Sequence, residues 1–128
     1  MTIAEALQMM EEMRPGTAIS PERMKKWLSS LDRKIFEELI QRRMPDKDTP
    51  EVFCGYNEAT DENTVLLVPE PDAEEVYQFY LAAKIDLANQ EMEDYINSAS
   101  LFNTAYDDFA KKYARCHRQK VTYNPFYN

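Results

Sequence analysis

Cys116 and His117 are the adjacent side chains with the clearest capacity for chemistry, a thiol beside an imidazole. A histidine within hydrogen-bonding reach activates a cysteine nucleophile. Neighbours on a helix, however, project about 100° apart, so these two do not converge on one ion or one substrate atom. His117 is the sole histidine, which leaves no two-histidine metal site and no Glu-x-x-His pair on two helices within one chain. At the end of a helical stretch it reads as a solvated or dipole-capping residue. Cys54 is the only other cysteine, and no signal peptide opens the sequence, so both thiols are expected to be reduced.

Other combinations also fail on spacing. Asp61-Glu-Asn63-Thr begins like a calcium loop, but Val65 and Leu66 fall where the next ligand and the turn glycine belong. Ser29 and Ser30 sit mid-helix without a nearby histidine, and no Gly-x-Ser-x-Gly occurs. Two isolated glycines build no phosphate-cradling loop. Asp107-Asp108 and Glu74-Glu75 are explained by solvated helix faces. The expectation is a non-enzyme with no catalytic residues, no metal site and no cofactor.

The elements explain why chemistry is scarce. With 44% hydrophobic and 30% charged residues, the 128-residue chain reads as a single domain with one core. Its net charge of −8 argues against general or sequence-specific nucleic-acid binding, though it suits a conduit past which DNA slides. No apolar run approaches a membrane span.

Residues 1–44 read as two helices. Thr2 with Glu5 makes a capping box, and Arg14-Pro15-Gly16 stops the first helix. Ser20-Pro21 starts the second, with Met24, Trp27, Leu28, Leu31, Ile35 and Leu39 on one face and an expected end at Arg43 or Met44, before Pro45. Residues 45–71 carry four prolines and read as a long extended loop or arm. Within it Val65-Leu-Leu-Val68 is either a buried strand or an extended piece lying across the helices.

From Asp72 to His117 apolar residues recur every three or four positions, through Tyr77, Leu81, Ile85, Ala88, Met92, Tyr95, Ala99, Phe102, Tyr106, Phe109 and Tyr113. Asp72 with Glu75 reads as its capping box. The stretch is too long for one ordinary helix, and Asn89-Gln90 is the preferred break, giving a helical hairpin over 72–118. The fold expected is all-α, with four helices: two N-terminal ones plus the long C-terminal hairpin. Residues 119–128 form an aromatic tail.

Four segments in order carry a resemblance: Trp27-Leu-Ser-Ser-Leu-Asp32 with Ile35, Leu66-Leu-Val-Pro69-Glu-Pro71, Tyr80-Leu-Ala-Ala-Lys-Ile-Asp86, and Ser98-Ala-Ser-Leu-Phe102-Asn-Thr-Ala-Tyr106. Together, over roughly residues 20–117, they resemble small prophage proteins of Gram-positive bacteria similar to the head–tail connector, or neck adaptor, proteins of tailed phages. The resemblance implies a structural subunit that forms a ring with its own copies, between portal and tail-completion proteins. It implies a place in the virion neck, with assembly in the host bacterial cytoplasm, and it carries over no catalytic residues. The arm and the tail are expected to reach across subunit or portal interfaces and to order on assembly, through Val65, Leu66, Leu67, Val68, Tyr123, Phe126 and Tyr127. A small helical protein–protein interaction or regulatory module is the alternative.

Overall fold

The computed structural model describes residues 1–47 and 49–119 and is all-helical apart from loops and isolated bridges. Helix α1 spans Ile3–Met13 and α2 spans Pro21–Ile35. Both start where side-chain oxygens satisfy orphan amides: Thr2 Oγ1 accepts from Glu5 N–H, and Ser20 Oγ accepts from Arg23 N–H. Pro21 occupies the first helical position, where its missing N–H costs nothing.

The second helix departs from expectation at its end. After Ile35 the chain makes a π-helical turn, Phe36–Ile40, closed by Gln41 N–H on the Phe36 carbonyl. The i→i+5 bond adds a residue to the turn, so the inward position passes from Leu39 to Ile40. Phe36 and Ile40 are buried and Leu39 only half-buried. The helical run thus stops short of Arg43.

Helix α3, Asp72–Ala88, is the central element and packs against α1, α2 and α4. It is apolar nearly all round, with Ala73, Val76, Tyr77, Leu81, Ala82, Ala83 and Ile85 buried, as befits a helix enclosed on several sides. The expected cap at Asp72 is not formed. Ala73 N–H already bonds to the Pro69 carbonyl, so Asp72 lies inside the first turn and its carboxylate takes Lys112 instead, at 3.0 and 3.2 Å.

The hairpin break falls where expected. Gln90 adopts φ 59, the left-handed conformation that ends a helix, and α4 then runs Met92–Cys116. Between α3 and α4 lie Tyr80, Phe102 and Tyr106, with ring centroids 5.3 and 5.7 Å apart. Phe109 completes the buried seam near the far end.

The 45–71 stretch is not a free arm. Phe53 packs against Phe36 and Tyr56, and Arg33 lies over its ring at 5.4 Å. Gly55 has φ 83, and a Cβ there would meet Arg33 Nη2 and Ser29 Oγ at 3.0 Å. Only glycine lets the chain pass that close to α2. Further on, Thr2 and Val65 form an antiparallel bridge, with Ile3 N–H donating to Thr64 and Leu66 N–H to Met1.

Candidate functional site

Two buried carboxylates hold the helices and the long connection together. Asp32 is fully buried on the core face of α2, one turn after Leu28. Tyr77 of α3 donates to its Oδ1 at 2.6 Å, while Tyr56 and the Leu67 N–H donate to Oδ2 at 2.5 and 3.1 Å. The Tyr77 hydroxyl in turn accepts from Val68 N–H at 2.9 Å. One carboxylate therefore ties α2, α3 and both halves of the 45–71 connection into a satisfied network.

Burial raises the Asp32 carboxyl above its ordinary range, and its three donors oppose that shift. Burial also pushes the Tyr77 and Tyr56 phenols up, and the Asp32 charge adds to the effect. Asp32 and Tyr77 are sealed from solvent, while Tyr56 is half-buried. The network is a fastening.

Asp86 is the second node. Arg14, at the end of α1, donates Nε and Nη2 to its two oxygens at 3.2 and 3.3 Å, and Ser98 of α4 donates to Oδ2 at 2.9 Å. The paired carboxylate holds the Arg14 guanidinium above its ordinary value, chiefly through the hydrogen bond. Three helices meet at this point.

The end of α4 is clamped to the loop that follows the π turn. His117 stacks on Tyr113 at 3.9 Å, and its ring nitrogens face the Tyr113 carbonyl at 3.1 Å and Asp46 at 2.8 Å. Of the two roles expected, solvated or capping, it takes the second, at the C-terminal end of α4, and adds the contact with Asp46. Just beyond, Met44 N–H donates to the Arg118 carbonyl, and Arg43 bridges Gln119 in antiparallel register.

Between this clamp and the extended segment lies an open groove of about 480 Å³, walled by Ile40, Asp46, Pro50, Val65, Leu67 and Tyr113. A larger cleft of about 640 Å³ separates α1 from the start of α2, past Leu7, Glu11, Gly16 and Met24. Among the described residues no three His, Cys, Asp or Glu side chains are grouped to hold a metal. Cys54 and Cys116 are free and exposed.

The expected interface residues divide. Leu66 and Val68 are 3% and 0% exposed, so they are committed to this chain's own core rather than offered to a partner. Alternation along an extended segment explains the split: Val65, pointing the other way, is 66% exposed, and Leu67 is half-buried. Tyr123, Phe126 and Tyr127 lie outside the described residues.

Sequence reasoning passed over Asp32 and Asp86. The available signal was an acid standing on an apolar stripe in each case, beside Leu31 and Ile35 or beside Ala82 and Ile85. Compared with protein-family models, curated proteins and solved structures, the chain matches none.

Proposed function

We propose that this chain is a structural subunit of the head–tail connector type that its motif order resembles, acting by shape and contact and not by catalysis. It assembles with its own copies into a ring between portal and tail, at the neck of the virion. The observation that carries this reading is the outer surface of α4. That helix has 25 residues, yet only Ser98, Ala105 and Phe109 are buried. Met92 and Ile96, one turn apart on the same face, are 52% and 62% exposed, on a chain otherwise rich in acidic residues. Apolar residues displayed along a long helix support a role in contact with other chains.

A second reading draws on the shallow trough between α3 and α4, past Tyr80, Leu87, Tyr95 and Phe102, of about 250 Å³. Such a trough suits a small helical interaction module that takes an apolar peptide. Light scattering and negative-stain imaging of the purified chain, alone and with a tailed-phage portal protein, separate the two. Rings that form on concentration or on addition of portal support the connector reading. A strict monomer that ignores portal and captures one defined peptide supports the module.

A further inference from the structure

Charge is sorted along the α3–α4 hairpin. No Lys or Arg occurs between Lys84 and Lys111, whereas Glu91, Glu93 and Asp94 crowd the turn and the first residues of α4. Arg14, the cation beside that turn, is held above its ordinary value first by its bond to Asp86, and Asp94 and Glu91 add to the effect. Beyond Asp107 and Asp108 the sign reverses, with Lys111, Lys112, Arg115 and Arg118 in close succession. Arg42 and Lys47 join the same end from the loop in which Met44 N–H meets the Arg118 carbonyl.

A helix dipole favours acids at the N-terminus and bases at the C-terminus, and that accounts for part of the pattern. It does not account for apolar side chains displayed at both ends. Leu87, Met92 and Ile96 are exposed at the acidic turn, and Met44 is exposed at the basic end, on an element other than α4. Arg42, Lys47, Lys111, Arg115 and Arg118 are all exposed and, among the described residues, belong to no ion pair. The same holds for Glu91, Glu93 and Asp94. An apolar spot framed by one sign of charge has the composition of a contact surface: the centre gives affinity, and the rim sets partner and register.

The two ends carry opposite signs on one chain, yet they cannot meet within it. Helix α4 runs unbroken from Met92 to Cys116, and at 1.5 Å per residue Met92 and Arg115 stand about 35 Å apart. A second copy supplies the complement that each end lacks.

We infer that the acidic turn of one copy, with Met92 and Ile96 at its centre, docks on the basic end of a second copy around Met44, head to tail. The inference deepens the proposed self-assembly and rests on it. A contact of this kind is heterologous and closes a ring where the rotation allows.

Sedimentation velocity of full-length chains with reversed charges is the test. The turn variant carries Glu91→Lys and Glu93→Lys. The end variant carries Lys111→Glu and Arg115→Glu, sparing Lys112, which is paired with Asp72. Circular dichroism checks each for native helicity. The wild type is expected to associate as concentration rises, and less so as salt screens the contact. Each variant alone sets like charges against each other and is expected to stay monomeric. An equal mixture of the two, and one chain carrying all four substitutions, restore opposite signs and are expected to regain association. Met92→Ser with Ile96→Ser is expected to weaken association about tenfold or more. Leu101→Ser, exposed on another face of α4, is expected to leave it unchanged.

Reversed variants that associate as the wild type does overturn the inference, and so does a fourfold variant that stays monomeric. Rings formed on a tailed-phage portal protein by both reversed variants overturn it while the connector reading stands. Charge-swapped association that ignores portal keeps the inference and removes the connector reading. A basic end that binds duplex DNA, in a chain that never self-associates, assigns that end to phosphates and overturns the inference as well.

Discussion

Asp32 and Tyr77, 45 residues apart in sequence, share a 2.6 Å hydrogen bond inside the core, and the Tyr77 hydroxyl passes the connection on to the Val68 backbone. Tyr77→Phe leaves a buried carboxylate oxygen and a buried N–H short of a partner. It is expected to cost about 1–3 kcal/mol in urea unfolding and to speed amide exchange at Val68. Tyr106 is the internal control. Its hydroxyl is buried with no hydrogen-bond partner among the described residues, so Tyr106→Phe is expected to be neutral or mildly stabilising.

The pH dependence of stability follows from the same network. Burial lifts the Asp32 carboxyl above the ordinary 3.8. Between that value and the raised one, the folded state binds the proton that the unfolded chain has released. Stability from this group therefore rises as pH falls through the window and is lost as pH rises through the folded value. Urea midpoints of the wild type and Asp32→Asn, compared from pH 7 down to about pH 4, should show the wild type gaining on the variant. A wild-type advantage that shrinks toward acid would mean that the donors, and not burial, dominate.

At the alkaline side the phenols act. Tyr56 and Tyr77 are raised above the ordinary value of 10.0, first by burial and then by the charge of Asp32. Above that pH the unfolded phenols lose protons that the folded ones keep, so stability falls as pH rises. Absorbance at 295 nm should show these two tyrosines ionising only together with the loss of helical circular dichroism.

Arg14 neutralises a fully buried carboxylate while staying partly solvated itself. Arg14→Ala leaves Asp86 with Ser98 alone and is expected to cost about 3 kcal/mol, the lower end of the range for breaking a buried pair. Ser98→Ala, which removes one neutral donor, is expected to cost about 1 kcal/mol. Thermal unfolding of both variants checks the order.

Gln90 holds φ 59 at the hairpin turn with a side chain that the conformation disfavours. Gln90→Gly removes the Cβ clash and is expected to stabilise by about 1 kcal/mol, raising Tm by about 3–5 °C. Calorimetry reads the shift directly.

Local signals in the sequence marked most of the helix boundaries. Thr2, Ser20-Pro21 and Asn89-Gln90 act within a turn or so of themselves, so spacing alone reveals them. The π turn at Phe36–Ile40 was not legible, because the one-residue shift from Leu39 to Ile40 is decided by tertiary packing. Nor was the Asp72 cap, lost to the Pro69 carbonyl and Lys112. Asp32 and Asp86 stayed hidden because their partners lie up to 45 and 72 residues away. The apolar run Val65–Val68 marked the second half of the proline-containing connection as lying on the helices, whereas the anchoring of the first half through Phe53 and Tyr56 depended on distant contacts and was not legible.

Native mass spectrometry of the chain, alone and with a tailed-phage portal protein, bears most directly on the proposed role by shape and contact. A closed assembly of fixed copy number, seated on portal, is the expected result. A single copy at every concentration, with or without portal, would contradict it.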